Sequence, residues 1–415
     1  MNLLRTSALS GIGVAVKMLT LLGINKILAL YVGPVGYAAL GQFQNAIQII
    51  TTFSSGAINN GVTKYTAEYS GDIERQREIW RTAGTICLAG SLFASVLIGI
   101  FNAELAEWFF KDAAAGVVFG WLSISLVFFT FNALLLAILN GKKEVFKYVV
   151  CNICGSLLAL LLTTLLAVNF GLYGALIALA IYQSFAFFVT AVVCGSSSWF
   201  KLSYLIGAVR KDIALKLGKF ALMALVSAAC APISHMLIRN HVTVALGLEA
   251  AGYWEAMWRL SSAYLLLVTT TLGVYYLPRF SELSTAAGVR LELIKGYRLI
   301  IPVVALGCLL IYWQRDFIIN LLFSETFLPM AGLFGWQLFG DLLKVGSWLI
   351  AYLMLGKAMV ILYMSTEVIF AAVFTVLAFD FTTRLGLEGV AVAHALTYLV
   401  YWVVIVIIMW HKKVF

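Results

Sequence analysis

Seven charged side chains of this chain lie inside stretches that are otherwise apolar: Lys17, Lys26, Glu255, Arg259, Asp341, Lys344 and Glu367. A charge in such surroundings costs ~2.5–3.5 kcal/mol on insertion scales, so it is expected to pair or to meet a ligand. Glu255 and Arg259 stand at i, i+4, and Asp341 and Lys344 at i, i+3, each pair on one helix face. Two chemistries suit that spacing. The pairs neutralise each other and pack helices together, or Arg259 and Lys344 bind an anionic headgroup while Glu255 and Asp341 act as counter-charges or proton sites. Both pairs lie in the second half of the chain. The residues 215 positions earlier than Arg259, Asp341 and Lys344 are Gln44, Leu126 and Phe129. A purely architectural need would recur in both halves, which favours the anion-binding reading. Glu367 stands alone in its stretch and is a candidate protonatable coupling site, or else a salt-bridge partner for a neighbouring helix.

Lys17 and Lys26 are nine residues apart, on opposite faces of an ideal helix. Both line one cavity only if that helix bends, and Gly23 offers the place; otherwise Lys26 snorkels outward. Lys64 follows Asn59-Asn60-Gly61. It is either an ordinary membrane-edge anchor or a gate that first meets a phosphate. Gln42, Gln44, Asn45 and Gln48 make the second apolar stretch unusually polar, and amides there suit sugar hydroxyls in a lined cavity. His235 and His394 are isolated and read as structural. The six cysteines sit in apolar runs and read as packing residues; Cys151 and Cys154 lack the second pair or histidine a metal or redox site needs. No P-loop, HExxH or GxSxG is present, so neither ATP-driven pumping nor hydrolysis is supported, and no catalytic residue, cofactor or metal is expected.

The elements that position these groups follow from composition. The 415 residues are 62% hydrophobic and 11% charged, with a mean hydropathy of +0.98. A soluble domain carries about 25% charged residues. This excludes a soluble enzyme, a disordered tail and a nucleic-acid binder, and the long continuous apolar runs exclude an alternating outer-membrane barrel. Twelve runs are expected to span a membrane: about 7–31, 36–58, 82–103, 116–139, 147–168, 172–194, 217–238, 252–277, 297–313, 330–355, 358–379 and 387–410. Twenty of the 28 basic residues then fall in one set of loops, and four (Lys111, Arg239, Arg315 and Arg384) in the alternate set. Both termini are therefore expected to be cytoplasmic.

The chain also repeats. Shifted by 215 residues, Gly120-Trp121 falls on Gly335-Trp336, Gly141-Lys142 on Gly356-Lys357, and Gly171-Leu172 with Gly174 on Gly386-Leu387 with Gly389. Each half holds six spans and so has the same orientation. The expected fold is an all-α polytopic membrane protein whose twelve transmembrane helices form two parallel six-helix lobes, related by a pseudo-twofold normal to the membrane. The lobes are 1–200 and 217–415, joined by a basic cytoplasmic linker at 201–216. This is transporter architecture, with a cavity expected between the lobes near the midplane.

Tyr31-Val-Gly-Pro-Val-Gly-Tyr37 resembles the first turn of polysaccharide exporters in the multidrug/oligosaccharidyl-lipid/polysaccharide superfamily. Gly61-Val-Thr-Lys-Tyr65, Lys17, Lys26, Phe339-Gly-Asp-Leu-Leu-Lys-Val-Gly346 and Glu367 resemble Wzx-type flippases, above all the enterobacterial common antigen (lipid III) and O-antigen group. The resemblance runs along nearly the whole chain. It implies transfer of an undecaprenyl-diphosphate-linked oligosaccharide from the cytoplasmic to the periplasmic leaflet of the bacterial inner membrane, as part of lipopolysaccharide or common-antigen biosynthesis; the two-lobe architecture and the lack of a P-loop add the expectation of alternating access without ATP. It places Lys17, Lys26, Lys64, Asp341, Lys344 and Glu367 on positions the group shares. Arg259 departs from the lipid III branch, where uncharged residues stand, which favours an O-antigen-type glycan. Membrane lipid, and a glycan polymerase with its chain-length machinery, are the implied partners. The alternatives are an ion-coupled multidrug exporter of the same fold, which would want an acidic cavity, and a peptidoglycan-precursor flippase. A glycan polymerase or ligase would need a sizeable outward loop, and none is expected.

Overall fold

The computed structural model describes residues 3–283, 285–357 and 359–414, and these are mostly helical, with no strand among the described residues. The first half holds α1 (Leu3–Tyr31), α2 (Gly33–Ser54), α3 (Asn59–Glu68), α4 (Ile73–Ile100), α5 (Asn102–Phe110), α6 (Gly116–Gly141) and α7 (Val145–Gly195). The second holds α8 (Lys211–Leu246), α9 (Leu248–Thr271), a π-helical turn at Leu272–Tyr276, α10 (Leu277–Glu282), α11 (Ala286–Trp313), α12 (Arg315–Leu322), α13 (Phe334–Gly356), α14 (Val360–Leu385) and α15 (Glu388–His411). Each of the twelve expected spans falls largely on helix among the described residues, two of them on the single helix α7. Among the described residues eight helices are long and apolar enough to cross a membrane. One of them, α7, has 51 residues. At ~1.5 Å per residue that is far longer than a ~30 Å hydrocarbon core, so it accounts for two crossings. The chain is a multi-pass membrane protein.

A glycine makes the break in α7. Gly171 has φ +57 and ψ −133, a conformation that a side chain would resist. Gly386, 215 residues later, has φ +67 and ψ −146 and separates α14 from α15. The likeness extends to the next turn. A Cβ on Gly174 would strike the Leu166 carbonyl, and one on Gly389 would strike the Phe381 carbonyl, again 215 residues on in both members. The sequence repeat is thus a repeat of backbone geometry, with glycine retained where the chain doubles back.

Two compact units form, Met1–Val32 with Ala39–Pro232, and Gly33–Ala38 with Ile233–Phe415. In the first, α1 and α6 pack on α7, and α4 packs on α6. Its core includes Ile79, Trp80, Leu134, Ile138 and Leu217. In the second, α13 and α14 pack on α15, and α11 packs on α13. The stretch 201–216 is not an extended tether. Leu202–Tyr204 makes a 3-10 turn and α8 starts at Lys211. Gly207 exchanges two hydrogen bonds with the Thr85 hydroxyl, at 2.9 and 3.1 Å. Arg210 reaches Glu78 at 2.9 Å, and Arg75 reaches Asp212 at 3.2 Å. The stretch lies so close to α4 that a Cβ on Gly84 would collide with the Leu205 carbonyl.

Gly84→Val should therefore destabilise the protein by ~1–3 kcal/mol, the usual cost of overpacking. Gly120→Val, where a Cβ meets nothing within 4 Å, is the control and should be near neutral. Thermal unfolding in detergent followed by circular dichroism measures both; equal melting temperatures would contradict the close approach.

Candidate functional site

Two polar clusters are built on successive turns of α9, within the second unit. The first centres on Glu255. Its Oε1 accepts from Arg259 Nε at 2.8 Å, one turn along the same helix, and its Oε2 accepts from Arg239 Nη2 on α8. Arg239 and Glu255 are buried, their side chains to about one-twentieth of their free exposure (4% and 5%), and Arg259 is partly buried. Arg239 lies over the Trp254 ring at 5.6 Å and Arg259 over the Tyr37 ring at 5.5 Å. Tyr37 is itself fully enclosed, against Phe327 at 5.0 Å and Phe323 at 6.1 Å. The triad carries two positive charges and one negative.

Arg239 corrects the sequence reading, which placed it in an outward loop. The helix expected to end near 238 continues to Leu246, so Arg239 is an interior helical residue facing a carboxylate. The polar run Arg239-Asn-His-Val-Thr243 imitates a loop, and only the surplus of cationic contacts on Glu255 reveals it.

The second cluster centres on Asp341 of α13, which is fully buried. Its Oδ2 accepts from the Ser261 hydroxyl at 2.7 Å and from the Tyr264 hydroxyl, both on α9. Its Oδ1 lies 3.0 Å from His394 Nε2 on α15 and accepts from Gln337 Nε2 at 3.4 Å. A carboxylate with that many neutral donors is stabilised without a cation. Lys344, one turn further along α13, makes no ion pair or hydrogen bond through its ammonium among the described residues. Three aromatic rings surround it instead: Trp258 at 4.5 Å, Trp348 at 5.2 Å and Tyr398 at 5.2 Å. Ring faces favour a cation by ~2 kcal/mol or more when water is excluded, yet they leave its three N–H donors unsatisfied. His235 packs edge-on against Trp258 at 4.1 Å and joins the two clusters through that indole.

The i, i+4 pair thus meets as an ion pair, and the i, i+3 pair does not. His394, expected to be a packing residue, is a partner of Asp341; nothing local in the sequence reveals this, because the two are 53 residues apart. Glu367 on α14 hydrogen-bonds Tyr363 one turn earlier and feels the field of Lys344. Lys17 lines a cavity within the first unit, and Lys26, which has contacts of its own, is not among the residues around it. Lys64 is exposed and lies 5.2 Å from the Tyr65 ring. Gln44 is exposed and engaged, and Asn45 is half-buried with its Nδ2 unpartnered among the described residues. Among the described residues no group of three His, Cys, Asp or Glu side chains is placed to hold a metal ion.

A two-part helical fold with an internal repeat and ionised groups deep in its spans defines a polytopic membrane transporter. The sequence pattern of the polysaccharide biosynthesis protein family matches residues 3–284, and the chain belongs to that family. It is 28% identical over 415 residues to the lipid III flippases of Escherichia coli (strain K12) and Shigella flexneri, with each chain covered completely. Among solved structures it resembles a multidrug resistance MATE family transporter of the MOP superfamily in an inward-facing conformation. The TM-score is 0.79 at 15% identity, covering 96% of this chain and 95% of that one. A MOP superfamily transporter from Pyrococcus furiosus matches with a TM-score of 0.68 at 15% identity, over 99% of this chain and 95% of that one. At such identities the structural likeness establishes the fold alone.

Glu255→Gln should cost ~3–5 kcal/mol of stability, because it leaves the buried Arg239 guanidinium, and the partly buried Arg259, without their carboxylate. Removing one cation as well, in Glu255→Gln with Arg239→Met, should recover part of that loss. Urea or thermal unfolding of both variants measures it; a double variant no more stable than the single one would contradict the shared ion pair.

Proposed function

We propose that this protein is a flippase that moves a polyprenyl-diphosphate-linked oligosaccharide from the cytoplasmic to the outer leaflet of a bacterial inner membrane. The glycan carried is an O-antigen repeat unit or lipid III. The relatives that match it end to end are named lipid III flippases, which supports the lipid-linked glycan as the cargo class. The observation that carries the reading is Lys344. Its ammonium is buried in a membrane helix, ringed by aromatic faces, and not neutralised by the carboxylate one turn away, which is held by four other donors. A cation so placed is held ready for an anion, and a diphosphate supplies acceptor oxygens for the donors the rings cannot satisfy.

Arg239 adds to the four cations of the expected spans, Lys17, Lys26, Arg259 and Lys344, which stand against Glu255, Asp341 and Glu367. The balance favours anionic cargo over cationic drugs. The protein works by alternating access, with Glu367 or the Asp341–His394 pair carrying the coupling proton. Transport draws on an ion gradient or on the membrane potential, which acts with ~2.3 kcal/mol per charge per 100 mV. Both termini face the cytoplasm, a reading that the distribution of loop charges supports.

In cells deleted for this gene, lipid-linked oligosaccharide should accumulate on the cytoplasmic side, and the wild-type gene should correct it. Lys344→Ala should leave the protein in the membrane at normal abundance and reduce surface glycan at least tenfold. Normal surface glycan at normal abundance would overturn the assignment of Lys344, and unchanged sidedness on deletion would overturn the flippase itself.

A further inference from the structure

The first unit contains a polar cavity of about 150 Å³ that the cationic clusters of the second unit do not explain. It is bounded by α1, α6 and the two halves of α7. Its polar lining is Lys17, Thr20, Asn132, Asn152, Ser156, Tyr182 and Gln183, and its apolar walls include Leu21, Ile24 and Leu136. Most of these residues lie near the middle of their helical spans, where a polar group without a partner costs several kcal/mol. A set this large at that depth calls for a polar occupant.

Part of the set is internally fixed. The Asn132 amide donates to Gln183 Oε1 at 2.6 Å and accepts from the Thr190 hydroxyl at 2.7 Å. Gln183 Nε2 donates to the Tyr182 hydroxyl oxygen at 3.1 Å, which leaves the Tyr182 hydrogen to donate elsewhere. Asn152 donates to the Tyr148 carbonyl at 2.8 Å and keeps its own side-chain oxygen as an acceptor. Ser156 donates to the Asn152 carbonyl at 2.9 Å and can accept. The Lys17 ammonium has no carboxylate partner among the described residues. The cavity therefore offers one positive charge, further neutral donors and several acceptors.

That mixture discriminates. A diphosphate is acceptor-only and carries more than one negative charge, so it would face the Asn152 and Ser156 oxygens unfavourably and be neutralised incompletely. A sugar ring with a single carboxylate satisfies both kinds of group, its hydroxyls donating to the acceptors and its carboxylate meeting Lys17. The cavity has room for a sugar ring. Resting on the flippase reading, we propose that this cavity is a glycan subsite that takes one acidic sugar residue of the cargo, with Lys17 as the carboxylate contact. Lys17 then reads the sugar, and the diphosphate is met elsewhere.

The test uses the full-length protein in lipid nanodiscs with Ser156→Cys as a reporter, an isosteric change at a half-buried position lining the cavity. Modification of Cys at that position by a small methanethiosulfonate is timed by peptide mass spectrometry, alone or with galacturonate, galactose or pyrophosphate at equal concentration. Galacturonate should slow modification at least fivefold, and galactose and pyrophosphate less than twofold. Adding Lys17→Gln should abolish the protection, while an unchanged basal rate attests an intact cavity. Equal protection by pyrophosphate, protection that survives Lys17→Gln, or no protection by galacturonate would each overturn the subsite. The three-probe comparison decides the matter even if Lys17→Gln fails to fold. Because nothing is transported in this assay, its failure leaves the flippase reading standing, and that reading falls only with the leaflet measurement in cells.

Discussion

A buried carboxylate can be satisfied either by a cation or by several neutral donors, and in this protein Asp341 takes the second course. Ser261, Tyr264, His394 and Gln337 together supply what Lys344 would otherwise supply. The consequence falls on Lys344. Three aromatic rings hold its charge within the helices without consuming its donors. Had Asp341 and Lys344 closed on each other, the pair would be internal packing, and a ligand would first have to break it. The Glu255 triad shows the contrasting arrangement in the same helix: one carboxylate is shared by two guanidinium groups, and a single positive charge is left over. The triad leaves a net positive charge and the second cluster leaves an ammonium with its donors unspent, and each keeps its carboxylate satisfied.

The scaffold that holds these groups follows from a duplication whose geometric requirements fall on glycines. The left-handed turns at Gly171 and Gly386, and the close approaches at Gly174 and Gly389, allow consecutive spans to double back without a loop. Helices joined this tightly leave little freedom in register. The second cluster draws its members from α9, α13 and α15, of which only α15 begins at such a turn. The π-helical turn after α9 lies outside these contacts and does not disturb Ser261 or Tyr264.

Fold class was legible because membrane helices announce themselves by composition and by the side on which their loop charges fall. The repeat was legible because Trp, Lys and paired glycines recur in one register. The i, i+4 contact of Glu255 and Arg259 was legible because both belong to one helix. What was hidden depends on long-range packing. The partnership of Asp341 with His394 joins residues 53 apart, and no periodicity predicts it. Arg239 was misplaced because the end of α8 is polar enough to read as a loop. The aromatic enclosure of Lys344 draws on α9, α13 and α15, of which only Trp348 is near in sequence. The side cavity of the first unit was hidden for the same reason, since its amides come from α6 and both halves of α7.

The central claim is that Lys344 meets the diphosphate of the cargo, and the rings around it provide the direct measurement. Trp258 and Trp348 flank the ammonium, so purified protein can be titrated with geranyl diphosphate while tryptophan fluorescence is followed. The account predicts a saturable change, retained with Lys344→Arg and lost with Lys344→Met at unchanged thermal stability. Binding of equal strength by the Lys344→Met protein would contradict it.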